Sequence, residues 1–358
     1  MNHNILFEPV QLGSVQLPNR VLMAPLTRQR AAGDGTPTEL IARHYEQRAS
    51  AGLIISEMTV VSAHGRAYLN APGMYQDSHR EGWKRVTEAV HRAGGRIFSQ
   101  LAHAGRISHP SLLPGNATPV APSAVRPAGH VYTPSGKQPY VTPHALEAGE
   151  IAAVVEEFAA AARMAQEAGF DGVELHAANG YLLDQFLRDG TNQRTDAYGG
   201  SPEKRVRFLM EVVQAVVNVW GAGQVGVRLS PFNPFNDMSD SNPRESFAVF
   251  ARELSVFGLA YLHVIEPAGE SGGRLTPRMR ALFGGPLIGN GGFDTKAAAA
   301  AIGSGEAEAI AFGVPFLANP DLPARLAGNL PLNTPDPSTF YGGDARGYID
   351  YPVYAQTA

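Results

Sequence analysis

The stretch FDGVELHAANGYLLDQFL (170–187) opens as a buried strand and, after a short polar turn, becomes an apolar helix. Apolar residues fall on both faces of 170–178, the pattern of a strand covered on each side. Period-2 alternation puts Glu174 and His176 on one face of that strand. Asn179 and Tyr181 follow at once, so an imidazole, an amide and a phenol gather within six residues at one strand end. A purely structural segment has little need of three hydrogen-bonding groups of different acidity there.

Seven further apolar runs bounded by turn residues repeat this strand: VLMAP (21–25), GLIISEM (52–58), RIFSQL (96–101), QVGVRLS (224–230), LAYLHVIE (259–266), PLIGNGG (286–292) and AEAIAFG (307–313). Amphipathic segments at 38–50, 79–93, 147–167, 202–219, 244–257, 294–303 and 319–328 read as the helices between and after them. Strands alternating with helices predict a parallel sheet, because a crossover helix is what links parallel neighbours. Eight such units in 358 residues predict an α/β fold of the closed (β/α)8 TIM-barrel type, one domain spanning 1–358. Two segments stand outside the repeat. Residues 6–19 alternate around Gly13-Ser14 and predict an N-terminal β-hairpin that closes the barrel bottom. Residues 102–146, with eight prolines and four histidines, predict an extended loop insertion after the third strand.

Composition narrows the partners. Net charge is −4 with no basic block, which argues against nucleic acid and anionic membrane. No run approaches the ~18 apolar residues of a membrane span. The start, MNHNILFEPVQ, has neither the charged nor the apolar region of an export signal, so a cytoplasmic protein is expected. The chain has no cysteine, which excludes disulfides, thiolate metal sites and cysteine-ligated iron–sulfur clusters. The His-x-His first strand of metal-dependent barrel hydrolases is also missing, and no metal is expected.

Barrel active sites lie at the C-terminal ends of the strands. Those ends carry Pro25 and Thr27, Glu57 and Met58, Gln100, His176 and Asn179, Arg228, His263, and the glycine-rich GNGG (289–292) and FG (312–313). Each has a structural explanation when read singly: a satisfied core histidine, an arginine bracing a loop, a packed tyrosine with a wet hydroxyl, a tight glycine turn. Their common position on one rim shifts the reading toward a site. The glycines after the seventh and eighth strands occupy the usual phosphate position of barrels, where free N–H groups and a helix N-terminus meet a dianion. GNGG lacks the third glycine of the dinucleotide fingerprint, so a Rossmann site is not expected.

The segments NRVLMAPLTRQRA, HYEQRASAGLIISE, QLAHAGRISHPS, GFDGVELHAANGYLLDQFLRDGTNQRTDAYGGS, AFGVPFLANPDL and FYGGDARGYIDYP follow in order from Asn19 to Pro352. Together they closely resemble the old yellow enzyme family of FMN-dependent ene-reductases, in the branch with threonine rather than cysteine in the first motif. The resemblance implies non-covalently bound FMN across the barrel mouth, lined by Pro25, Leu26 and Met58, with its phosphate toward Gly291, Gly292, Gly313 and Val314. It implies that Thr27 donates to the flavin C4 carbonyl, that Gln100 meets the pyrimidine edge, and that Arg228 sits near N1 and O2. It implies further that His176 and Asn179 hold the activating oxygen of a substrate, while Tyr181 protonates the α-carbon after hydride arrives at the β-carbon from flavin N5. Tyr68, Ala102 and Tyr341 complete the substrate pocket in this reading. NADPH or NADH is the implied reductant, used in a ping-pong cycle. The implied substrates are α,β-unsaturated carbonyls, maleimides and nitroalkenes, with nitrate esters as a further class. A monomer or homodimer is expected.

Three departures from the family pattern stand out. Ala102 occupies a place where tryptophan is usual, which predicts a wider pocket. Val314 replaces an arginine that would pair with the FMN phosphate, which predicts weaker cofactor binding unless another cation, such as Lys296 or Arg278, compensates. Met58 stands where a small residue is common. The competing readings are a flavin dehydrogenase or dienoyl-CoA reductase, which would need cysteines, and a non-catalytic flavin-binding protein, against which His176, Asn179 and Tyr181 all argue.

Overall fold

The computed structural model describes residues 3–266 and 273–354. Eight parallel strands form the barrel: β1 Val21–Met23, β2 Ile54–Ile55, β3 Ile97–Ala102, β4 Gly172–Ala177, β5 Val225–Leu229, β6 Tyr261–Ile265, β7 Leu287–Asn290 and β8 Ala309–Phe312. Each pairs with the next, and β8 pairs with β1, so the ring has no free edge. This is the (β/α)8 TIM barrel, with helices packed around the ring. Every residue of β3, β4 and β5 is buried, which accounts for their nearly continuous apolar reading.

The helices form because their apolar residues recur at helical spacing. In Asp77–Arg92, Trp83, Val86 and Val90 are fully buried on one stripe. Each such large apolar side chain removed from water contributes about 1.5–3 kcal/mol before entropy is counted. Six of the seven sequence-read helices occur as single segments with shifted ends, and the seventh, 202–219, breaks into Pro202–Arg205 and Arg207–Trp220 at Val206. Two described helices went unread, the short Val314–Ala318 and Thr276–Phe283. Thr276–Phe283 lies between β6 and β7, and its Pro277 resembles a breaker. Proline is tolerated there because the first turn of a helix has no acceptor for its N–H.

The hairpin also folds as read: Val10–Leu12 pairs antiparallel with Val15–Leu17. Gly13 at its tip has φ +55°, and a Cβ there would meet the Gly223 carbonyl oxygen at 2.3 Å. Val10, Leu12 and Leu17 pack with Leu53, Phe98, Ala260 and Ile288, sealing the N-terminal end of the barrel. Above that plug the Phe98 and Tyr261 rings stack 6.0 Å apart. Gly226 makes room for them, since a Cβ would meet the Tyr261 ring at 2.2 Å.

The insertion after β3 is ordered by short pairings. Val120–Ala121 pairs with His144–Ala145, and a hairpin joins His130–Thr133 to Gly136–Pro139. Among the described residues no helix is long and apolar enough to cross a membrane.

Candidate active site

Barrel register brings the polar residues together. Glu174 lies beside Gln100 and Gly226, and Arg228 lies between His176 and His263. Gln100 Nε2 donates to Glu174 Oε1 (2.8 Å), and His263 Nδ1 donates to Glu174 Oε2 (2.9 Å). Burial pushes the Glu174 carboxyl up, but His263, Arg228 and Gln100 outweigh it and hold the group below its ordinary value. A carboxylate can only accept, so the Gln100 amide must turn its NH2 inward, which leaves its carbonyl oxygen for the cavity.

Arg228 Nη2 donates to Asn290 Oδ1 (2.9 Å), whose own amide donates to the Ala311 carbonyl (2.6 Å). Among the described residues the Arg228 Nε is buried without a partner. A guanidinium donor in that state marks a place for an acceptor from outside the chain.

The β4 exit is held from below. Asp184 Oδ2 accepts the Gly180 N–H (2.9 Å), and Asp184 Oδ1 pairs with the buried Arg188 (2.9 Å). Asn179 takes φ +57°, a left-handed conformation that asparagine tolerates, and its N–H reaches the Ser230 hydroxyl (2.8 Å). The orientation of its side-chain amide follows from its neighbours. The Phe235 N–H donates to Asn233 Oδ1 (3.0 Å), so Asn233 must offer Nδ2 to Asn179 Oδ1 (2.8 Å). The Nδ2 donors of Asn179 are then the free end.

His176 is 3% exposed, and its Nδ1 is buried with no partner among the described residues. Burial, with Arg228 and then His263 adding to it, holds the imidazole well below its ordinary pKa, so the ring is neutral. The Tyr181 ring packs edge-on against it, with centroids 5.0 Å apart. The Tyr181 and Tyr68 hydroxyls share a 2.6 Å hydrogen bond. Burial pushes the Tyr181 phenol up to about 12, against a downward pull from Tyr68.

These groups face a cavity of about 680 Å³, lined also by Pro25, Leu26, Thr27, Gln100, Arg228 and Tyr341. Gln29, Tyr132 and Phe235 belong to the same wall and were not singled out in the sequence. Gln29 and Phe235 are loop residues and Tyr132 stands on the hairpin of the insertion, so only the fold places them at the site. A second cavity of about 410 Å³ shares Pro25, Leu26 and Arg228 with the first, and adds Asn290, Gly291, Gly292, Gly313 and Val314. The two therefore form one trough across the barrel mouth.

Comparison with known proteins decides the kinship. Residues 5–333 match the NADH:flavin oxidoreductase / NADH oxidase family. A probable flavin mononucleotide-dependent alkene reductase of Leishmania infantum is 45% identical over 355 residues, covering 98% of this chain and 97% of that one. Morphinone reductase, solved in complex with tetrahydroNAD, superposes with a TM-score of 0.94 at 50% identity, over 98% of both chains. The old yellow enzyme homologue from Zymomonas mobilis gives 0.95 at 44% identity, over 98% of this chain and 99% of that one. The chain belongs to the NADH:flavin oxidoreductase / NADH oxidase family.

As an old yellow enzyme-type flavoprotein it is an oxidoreductase whose cofactor is FMN and whose reductant is a reduced nicotinamide. The trough fits that cofactor. It offers, among the described residues, an unpartnered buried guanidinium N–H (Arg228 Nε) at its centre and, at one end, a glycine cradle where a Cβ on Gly291 would meet the Glu266 carbonyl oxygen at 2.2 Å. Two residues expected on the walls stand behind them. Met58 and Ala102 line neither cavity; they are 1% and 0% exposed, packed in an apolar cluster with Val60, Ile107 and Tyr181. The rings of Tyr68 and Tyr181, from the same cluster, form the cavity surface instead. The helix after Gly313 is also only five residues long, Val314–Ala318, too short to present a strong dipole to a phosphate.

Proposed function

We infer that this flavoenzyme reduces the activated C=C bond of α,β-unsaturated carbonyls, maleimides and nitroalkenes, using NADPH or NADH in two half-reactions at one site. Nitrate esters are a further substrate class on this reading. FMN, when bound, supplies reversible hydride chemistry. The residues Pro25, Leu26, Thr27, Gln100 and Arg228 would hold its ring system, and Gly291, Gly292 and Gly313 its phosphate.

The observation that carries this reading is a neutral imidazole and a free amide donor beside a protonated phenol on one cavity wall. His176 and the Asn179 amide are donors for a carbonyl or nitro oxygen, and they stabilise the negative charge that develops there. Arg228 supplies a fixed positive charge where electron density accumulates, and Glu174 beneath it offsets the cost of burying that guanidinium. Tyr181 stays protonated at neutral pH and delivers its proton from its hydroxyl to the substrate α-carbon. The aromatic walls Tyr68, Tyr132, Phe235 and Tyr341 suit a flat, apolar alkene.

The test is an anaerobic reduction of the purified flavoprotein by NADPH, followed by mixing with 2-cyclohexenone. Reoxidation of the flavin with formation of cyclohexanone is the expected result. Flavin that reduces but is not reoxidised by any enone, maleimide or nitroalkene would overturn the reading in favour of a flavin-binding protein without alkene reductase activity.

A further inference from the structure

We propose that Arg274 is the positioning residue for the cofactor phosphate, holding the Gly291–Gly292 peptide so that its N–H faces the anion. This rests on the functional reading above and deepens it.

The phosphate end of the trough is short of positive charge. Its wall carries Gly291, Gly292, Phe293, Gly313 and Val314, and Val314 is an apolar side chain, 41% exposed. The cations that sequence reading offers as substitutes point elsewhere or remain at the surface. Arg278 pairs with Glu245 at 2.9 Å, and Lys296 is exposed in the first turn of helix Thr295–Gly303.

Arg274 is placed differently. Its Nη2 donates to the Gly291 carbonyl (2.8 Å), and its guanidinium carbon lies 4.1 Å from the centre of the Phe293 ring. The chain at that point has unusual freedom, since Gly291 and Gly292 take φ +97° and +70°. A peptide between two glycines in the left-handed half of conformational space flips readily unless something holds it. In a trans peptide the carbonyl and the following N–H point in opposite directions. A guanidinium bound to the Gly291 oxygen on one side therefore sends the Gly292 N–H to the other. Among the described residues that N–H meets no acceptor, and Gly292 lines the cavity. Polarising the carbonyl also strengthens the N–H as a donor.

The neighbouring carboxylates do not account for the arginine. Glu266 is taken up by the N–H groups of Leu275 and Thr276 and by the Thr276 hydroxyl. Glu306 lies close enough to feel the charge, but among the described residues its Oε1 and the Arg274 Nη1 are both buried without a hydrogen-bond partner. Among the described residues the one hydrogen bond that Arg274 makes is to the cradle.

The experiment titrates full-length protein, stripped of flavin, with FMN and in parallel with riboflavin, which lacks the phosphate. Arg274→Gln should weaken FMN binding by about tenfold, the scale of one charge-assisted contact, and leave riboflavin binding unchanged. Arg274→Lys should fall between the two, because an ammonium keeps the charge and loses the planar fork. Equal FMN affinity in Arg274→Gln and the unaltered protein would overturn the proposal. So would an equal loss for FMN and riboflavin, the mark of a merely structural arginine. Failure of the unaltered protein to bind either flavin would instead overturn the functional reading on which the proposal rests.

Discussion

The hydroxyls of Tyr68 and Tyr181 meet at 2.6 Å, although 113 positions separate them in the chain. Both phenols are raised by burial, and Tyr181, at about 12, is the one that also packs against His176. In Tyr181→Phe, reoxidation of the reduced enzyme by cyclohexenone should slow by ~10²-fold or more, while reduction by NADPH changes little. Tyr68→Phe removes the bond that draws the Tyr181 pKa down, so it should slow the same half-reaction by a smaller factor. Stopped-flow absorbance of the two half-reactions separates these outcomes. Equal losses in both halves for Tyr181→Phe would remove it from the proton-donor role.

His176→Ala and Asn179→Ala should each lower the rate of enone reduction by ~10²–10³-fold, the scale of one oxyanion donor. Because burial holds the imidazole neutral, kcat/KM for the enone should show no histidine ionisation between about pH 6 and 8. A rate profile bending near 6.5, and lost in His176→Ala, would contradict a neutral ring.

Asp184 bridges the Gly180 N–H and Arg188 in the barrel wall beneath the site. Asp184→Ala leaves a buried guanidinium uncompensated and should cost about 3–5 kcal/mol of stability by urea unfolding. Asp184→Asn keeps an acceptor for Gly180 but not the charge, so it should fold better than the alanine variant and bind substrate more weakly than the unaltered enzyme. A loss under 1 kcal/mol in Asp184→Ala would show that the pair does not brace the turn.

Glu57 accepts the N–H groups of Arg28 and Gln29, fixing the segment that carries Thr27. Burial outweighs those hydrogen bonds and pushes its carboxyl from 4.5 up to about 7. Between those values the folded protein holds a proton that the unfolded chain has lost, so Glu57 makes stability fall as pH rises through that window. The fall amounts to roughly 3 kcal/mol at ~1.4 kcal/mol per pH unit. Glu57→Gln should flatten this part of the stability curve, measured by urea unfolding from pH 4.5 to 7.5. Parallel curves for the two proteins would exclude the assignment.

The barrel itself was legible in the sequence because its signals are local. Apolar runs such as QVGVRLS, and stripes such as Trp83, Val86 and Val90, follow from backbone periods of 2 and 3.6 residues. The grouping of His176, Asn179 and Tyr181 was equally plain, since one strand end and one turn carry all three. The helix Thr276–Phe283 escaped because eight residues hold barely two turns and its proline looked like a stop.

Sequence alone thus determined the repeat, the rim on which chemistry collects, and the identity of the polar groups there. Tertiary structure alone decided what each group faces. Asn179 presents donors because Asn233 and the Phe235 N–H, from the loop after β5, fix its amide. Gln100 turns its oxygen outward because closure of the ring puts the Glu174 carboxylate beside it. Ala102 is walled off by packing that its own strand does not specify, and Arg274 reaches Gly291 across a gap of 17 residues. The physical reason is the range of the forces involved. Periodicity is set by neighbouring peptide units, whereas hydrogen-bond direction and burial depend on which distant segments the closed ring makes adjacent.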